Sequence, residues 1–298
     1  MHMKLAINQK PRPFIKWAGG KTRVVNQILE FFPAEFDAYF EPFLGGGSLY
    51  FAIAPQKGNL NDMNHALISA YINIRDRCDA LISELSRLQE EYYQLPTLET
   101  KQTYYYERRN EYNGLSLRSI RKSSLFIFLN KTCFNGMYRE NTQGQYNIPF
   151  GKHMRPSICD VANLLAVSEV LKQINISCGS YELSLGNAKA GDFIYFDPPY
   201  APINPTSKFT QYQAGGFTDK DQKKLRDLFR ELSARGCYVM QSNSTAESIA
   251  ELYSDFYINK ITVARSINST GTKRGKIEEV LITNYPPERG KYIEINDL

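Results

Sequence analysis

Apolar and polar positions change their rhythm several times along this 298-residue chain. In "AYFEPFLGGGSLYFAI" (38 to 53) a short β-prone run, a glycine cluster and an apolar stretch predict a strand over about 38 to 43, a turn and a helix. "GNLNDMNHALISAYINI" (58 to 74) repeats that grammar, with a strand ending at Asp62 and a helix whose apolar positions fall at helical spacing. Two successive strand-turn-helix units with glycine-rich or acidic strand ends predict an α/β fold with a parallel, doubly wound sheet. From 78 to 130 the pattern becomes helical throughout, as in "CDALISELSRLQEEYYQL" and "SLRSIRKSSLFIFLNKTCF". "CFNGMYRENTQGQYNIPFG" (133 to 151) then sets Asn-Gly and Gln-Gly pairs among aromatic residues, which predicts a hairpin or a pair of turns.

The α/β grammar returns from 157. A helix leads to the strands "INISCG" and "DFIYF", a loop over about 201 to 217, and the helix "TDKDQKKLRDLFRELSARG". The strand "CYVMQSN" and a final pair, "YINKITVARS" and "KIEEVLITNY", complete the pattern. The simplest architecture is one sheet domain, 1–65 with 157–298, interrupted by a mainly helical insertion, 66–156, that carries a hairpin at about 133–149.

Composition narrows the class. Hydrophobic residues at 42% and charged residues at 22% suit a globular protein, and no apolar run approaches the roughly 20 residues of a membrane helix. "MHMKLAINQK" shows neither a long apolar segment nor a small-residue cleavage site, so a cytoplasmic protein with no membrane partner is expected. The five cysteines (Cys78, Cys133, Cys159, Cys178, Cys237) are odd in number and lack C-x-x-C spacing. That argues against a disulfide framework and a zinc site, and no metal is expected.

The formal charge is only +5, but it is unevenly spread. Residues 108 to 155 carry nine Lys or Arg against two acids, Glu111 and Glu140. Such a segment is either a solvated basic face or a surface for phosphates.

Two glycine clusters invite nucleotide readings. In "KWAGGKT", Gly20, Lys21 and Thr22 match the end of a phosphate loop, but Ile15 stands where its first glycine must be. In "FLGGG" the dinucleotide fingerprint breaks at Tyr50, which replaces the third glycine. A triphosphatase and a nicotinamide enzyme are both disfavoured. A glycine turn still lets a ligand approach the backbone, and Asp62 at the next strand end is placed to bind ribose hydroxyls. Finally, "DFIYFDPPY" (192 to 200) runs a buried strand into an acid, two prolines and a tyrosine. The prolines fix φ and lack N–H groups, so this end offers rigid acceptors only, beside an aromatic face.

Taken in order, these motifs resemble the Dam-type DNA adenine N6-methyltransferases, of the α group of amino-methyltransferases and the D12 class, over nearly the whole chain. The resemblance rests on "PFIKWAGGK" (13 to 21), "FLGGG" (43 to 47), "LND" (60 to 62), "LNKTCFNGMYRENTQGQYNIPFG" (129 to 151) and "DPPY" (197 to 200), followed by "FTQYQAGGFT" (209 to 218) and "RSINSTGTKRGKIEEVLITN" (265 to 284). It implies a Rossmann-like methyltransferase sheet with an inserted DNA-recognition lobe. It also implies S-adenosylmethionine as methyl donor, leaving S-adenosylhomocysteine, and double-stranded DNA as partner. It leaves open whether a cognate restriction endonuclease acting on the same site is a second partner, or whether the enzyme works alone or comes from a phage.

The resemblance places cofactor contacts at Trp17, Lys21, Phe43, Gly45, Gly47, Asp62 and Asp197, and catalysis at Asp197, Pro198, Pro199 and Tyr200. It assigns guanine reading to Arg139, with Asn135, Tyr138 and Asn147 to Pro149 on the same element. Phosphate contacts are expected from Arg118, Arg121, Lys122 and Lys131, and backbone contacts from Ser266, Asn268, Lys273 and Arg274. The loop 201 to 217 is expected to close over the substrate base. The hairpin looks closest to those of GATC enzymes.

Three alternatives stay open: another GAT-containing site; an RNA or protein-amide acceptor, where Asn is favoured at the first tetrad position; and a catalytically silent DNA-binding protein.

Overall fold

The computed structural model describes residues 9–203, 217–264 and 276–287. In chain order the first half holds α1 (Val25–Leu29), β1 (Tyr39–Glu41), α2 (Ser48–Ile53), β2 (Gly58–Asp62), α3 (His65–Asp76), α4 (Cys78–Gln94), α5 (Leu98–Gly114) and α6 (Ile120–Thr132). Then come α7 (Val161–Leu171), β3 (Asn175–Cys178), α8 (Tyr181–Ser184), β4 (Phe193–Phe196), α9 (Asp219–Ala234), β5 (Tyr238–Ser244), α10 (Glu247–Leu252), β6 (Tyr257–Ala264) and β7 (Lys276–Thr283).

The seven strands form one sheet in the order β3-β2-β1-β4-β5-β7-β6. The chain thus builds an α/β, Rossmann-like sheet, as the sequence pattern predicts. β1 pairs in parallel with both β2 and β4, and β4 in parallel with β5. The order reverses between β1 and β4, and open sheets of this kind bind ligands beyond the carboxyl ends of the strands at such a reversal. The last two strands break the parallel rule. β7 lies between β5 and β6 and is antiparallel to both. Ala264 of β6 pairs with Lys276 of β7, and that separation is short of the dozen or so residues a parallel crossover needs.

The chain divides into two compact units. One comprises residues 21–44, 57–61 and 180–298. Every residue of β4 is buried, which explains its unbroken apolar run: both faces of a central parallel strand are covered. Alternate residues serve opposite faces. Ile194 and Phe196 join Leu225, Phe229 and Leu232 of α9 in one core, while Phe193 meets Phe32, Phe36 and Tyr39. α9 starts at a capping box in which Thr218 and Asp221 satisfy each other's backbone N–H groups.

The other unit comprises residues 1–20, 45–56 and 62–179. Its centre is α6, buried from Ser123 to Asn130, against which α3, α4 and α5 pack. A helix covered on nearly all sides shows no single apolar stripe. After α6 the chain makes a one-turn 3-10 helix at Phe134–Gly136 and then a hairpin whose bridges are Cys133 with Phe150 and Glu140 with Tyr146. α5 holds its returning arm. The Asn113 side chain bonds both backbone groups of Tyr146, and the Tyr105 hydroxyl donates to the Ile148 carbonyl at 2.8 Å.

Among the described residues, no helix is long and apolar enough to cross a membrane, and no group of three or more His, Cys, Asp or Glu is placed to hold a metal ion.

Candidate functional site

β4 ends directly on the tetrad. Asp197 leaves the strand with its carboxylate 2.7 Å from the Lys21 ammonium, the two side chains 18% and 7% exposed. Charges this far out of water persist only when paired. Burial pushes the Asp197 carboxyl above its ordinary range; Lys21 opposes that rise, and the negative charge of Glu279 adds to it. Lys21 also sits over the Tyr200 ring, 4.9 Å from its centroid, and the Tyr200 hydroxyl donates to Glu279 at 2.8 Å. Lys21, Asp197, Tyr200 and Glu279 therefore form one connected cluster.

The backbone behind the tetrad is fixed by a buried polar network. Gln222 of α9 donates to the Pro199 carbonyl at 3.0 Å and accepts from Asn243 of β5 at 3.2 Å. Asn243 accepts from the Ala201 N–H at 3.1 Å, while the Ser244 hydroxyl donates to the Ala201 carbonyl at 2.6 Å. Pro198 is buried and Pro199 exposed. Residues 199 to 201, which leave the sheet without a ladder partner, are thus held by side chains from two elements. In the same unit Phe43, just past β1, packs against Tyr181, Phe196 and Phe217.

The other unit contains the glycine turn. Gly45 and Gly47 adopt positive φ, +49° and +66°. A Cβ on Gly45 would stand 2.7 Å from Cδ1 of Trp17, so glycine is required there by both backbone and space. Asp62 organises this turn: one carboxylate oxygen accepts the Gly45 N–H and the other the Asn64 N–H, both at 2.9 Å. Burial raises the Asp62 carboxyl, and these N–H groups counter the rise. The Met63 N–H bonds the same carboxylate, so part of its acceptor capacity is left over. The Trp17 indole stacks on Tyr138, with ring centroids 5.4 Å apart at 24°, and tilts against Phe126. Trp17 therefore joins the glycine turn to the hairpin.

A further link was invisible in the sequence. The buried Asn130 side chain exchanges hydrogen bonds with both backbone groups of Lys16 and donates to the Gly136 carbonyl, at 2.9 to 3.0 Å. It anchors the start of the hairpin.

The expected DNA contacts occupy different settings. Arg139 is exposed on the hairpin, its guanidinium donating to Asn147 at 2.8 Å. Asn135 and Pro149 are also exposed, Asn135 at φ +57°. Tyr138 lies among Trp17, Phe126 and Tyr146, and its hydroxyl donates to Glu140. Arg118 is exposed at φ +71°. Arg121 is already engaged, with Glu111 at 2.6 and 2.8 Å and Glu84 at 3.1 Å. Lys122 donates to the Leu115 carbonyl and lies over the Tyr112 ring. Lys131 is partly buried, and desolvation pulls its ammonium below the ordinary lysine range. Ser266, Asn268, Lys273 and Arg274 lie outside the described residues, as does most of the loop 201 to 217.

Glu279, Gln222, Asn243 and Asn130 carried no local signal in the sequence. Their partners stand on other elements, so only tertiary contact reveals them.

Residues 17–267 match the profile of the D12 class N6 adenine-specific DNA methyltransferases. The chain is 38% identical over 278 residues to the type II methyltransferase M1.LlaDCHI of Lactococcus lactis subsp. cremoris, covering 92% of this chain and 95% of that one. It is 40% identical over 287 residues to the type II methyltransferase M.MjaIII of Methanocaldococcus jannaschii, covering 92% and 99%. It is 32% identical over 278 residues to the DNA adenine methylase of Escherichia coli, covering 93% and 97%.

Proposed function

The chain belongs to the D12 class N6 adenine-specific DNA methyltransferases, and from that premise we propose that it transfers the methyl group of S-adenosylmethionine to N6 of a flipped-out adenine in duplex DNA, within GATC. The observation that carries this reading is the Asp197-Pro198-Pro199-Tyr200 end of β4, with its carboxylate braced by Lys21.

The residues present fit the donor. Asp62 presents a carboxylate with acceptor capacity left for a ribose hydroxyl, Trp17 and Phe43 offer apolar faces, Gly45 and Gly47 keep the turn free of side chains, and Asp197 with Lys21 supplies charge. S-adenosylmethionine, when bound, supplies a methyl group on a positively charged sulfur. S-adenosylhomocysteine is the product left behind.

Extruding a base costs roughly a few kcal/mol, and stacking on an aromatic ring recovers about 1 to 3 kcal/mol. Tyr200 provides that ring. Asp197 accepts one hydrogen of the N6 amino group and the Pro198 carbonyl the other. Held between two fixed acceptors, the nitrogen is pyramidal and its lone pair is aimed for an in-line displacement. Asp197 then faces the positive charge that develops on nitrogen, where a pre-placed carboxylate is most effective. Lys21 keeps that carboxylate ionised against the effect of its burial.

Arg139 is the reader of guanine in this scheme, since its exposed fork matches O6 and N7. Lysines and arginines of the helical unit would hold phosphates. The names of two relatives, type II methyltransferases, support a cognate restriction endonuclease as companion.

The test is incubation with labelled S-adenosylmethionine and duplexes containing or lacking GATC. N6-methyladenine should form only where GATC is present. Asp197→Ala should abolish transfer while leaving duplex binding largely intact, and Arg139→Ala should relax discrimination at the guanine. Near-normal turnover by Asp197→Ala would overturn the tetrad, and equal labelling of both duplexes the site.

A further inference from the structure

We infer that Glu279 is a positioning residue for methyl transfer, acting through the Tyr200 hydroxyl to fix the ring that receives the target adenine and to make its face more attractive to positive charge. This rests on the reading of residues 197 to 200 as the catalytic tetrad.

Three observations carry it. First, Glu279 is placed by the sheet: in the antiparallel β5–β7 ladder it stands opposite Ser244, the residue whose hydroxyl holds the Ala201 carbonyl. One end of the sheet therefore grips Tyr200 twice, by its following backbone and by its hydroxyl. Second, the hydroxyl bond is 2.8 Å long and its acceptor is a carboxylate, which makes it stronger than a bond to a neutral group. A phenol that donates to an anion carries more negative charge on its oxygen and ring. Third, the ring face already attracts a cation, since the Lys21 ammonium lies 4.9 Å from its centroid. An amino nitrogen that gains a methyl group becomes cationic before it loses its proton. A ring whose face favours positive charge stabilises that moment more than the neutral ground state, which is the condition for a rate effect rather than a binding effect.

Glu279 does not touch the base in this scheme. Its charge also raises the Asp197 carboxyl directly; on the pH plateau, where Asp197 is ionised in every variant, the remaining contribution passes through one hydroxyl, and that makes it separable from a general role in the sheet.

The experiment is single-turnover methylation of a GATC duplex, at a pH on the plateau of the rate profile, by Glu279→Gln, Tyr200→Phe and the double variant, with duplex affinity measured alongside. Gln keeps the acceptor and the shape but removes the charge. The transfer rate should fall by about tenfold in Glu279→Gln with duplex affinity nearly unchanged, the difference between a charged and a neutral acceptor. In the Tyr200→Phe background, where no hydroxyl remains, Glu279→Gln should change nothing further. A Glu279→Gln rate equal to that of the unaltered protein would overturn the inference. So would an equal fall on both backgrounds, which would mean that Glu279 acts elsewhere.

Should Glu279→Gln fold poorly, Glu279→Asp takes its place, its shorter side chain withdrawing the acceptor: the rate must fall with Tyr200 present and stay unchanged on the Tyr200→Phe background, with the duplex still bound. Asp197→Ala run in parallel separates the two levels. Its inactivity upholds the tetrad whatever Glu279 does, and its activity removes the tetrad and this inference together.

Discussion

Replacing Gly45 by alanine tests the glycine turn at the atom that decides it. Gly45 has φ +49°, and its added Cβ would meet Cδ1 of Trp17 at 2.7 Å and Nε1 at 3.2 Å. Two costs combine. An alanine in the left-handed region loses about 1 kcal/mol relative to glycine. The clash adds about 1 to 3 kcal/mol, because an indole stacked on Tyr138 and tilted against Phe126 cannot retreat as a flexible chain end would. Gly19 is the internal control. It has φ +76°, yet nothing lies within 4 Å of its added Cβ, so Gly19→Ala should carry the backbone cost alone.

Urea unfolding of the two variants, followed by fluorescence of the chain's single tryptophan, should therefore show Gly45→Ala less stable than Gly19→Ala by about 1 to 3 kcal/mol. Binding of S-adenosylmethionine by Gly45→Ala should weaken as well, since the displaced ring is one of the proposed cofactor contacts. Equal stability of the two variants would refute the packing of Trp17 on the turn.

Two further outcomes follow from the charges. Because burial holds the Asp197 carboxyl above the ordinary value of about 3.9 and Lys21 opposes that rise, Lys21→Met should move the acid limb of the kcat/KM profile to higher pH, besides lowering its plateau; an unmoved limb would dissociate Lys21 from the ionisation of Asp197. The Arg121 guanidinium holds the Glu111 carboxyl below its ordinary range, so this pair contributes stability that is present above the unfolded pKa of about 4.3 and is lost as pH falls through the lower folded value. Arg121→Ala should therefore cost roughly 1 kcal/mol at pH 7, after allowance for solvent screening, and progressively less in denaturation measured at pH 4 and below.

Elements whose cause is local could be read from the chain directly. The run Phe193–Phe196 announced a strand because a central parallel strand is buried on both faces, and α9 was legible as a helix from its own stretch of chain. The tetrad and the glycine turn were visible for the same reason: proline, glycine and an acid at a strand end restrict the backbone within a few residues. The short helices α1 and α10, five and six residues long, had no comparable signal.

Partnership across the chain is another matter. The basic stretch from 108 to 155 could be counted, but not that Arg121 is held by Glu84, 37 positions away, or that Lys122 is turned onto Tyr112 and Leu115. Nor could the chain show that β7 enters between β5 and β6 in the opposite direction, which brings Glu279 to Tyr200 across a separation of 79 residues. Residue types and their spacing limit which chemistry is possible at a strand end. Which charges remain available, and which side chain steadies the reacting group, depend on contacts that form only when distant segments close on one another, and that closure is a property of the folded core rather than of any stretch of sequence.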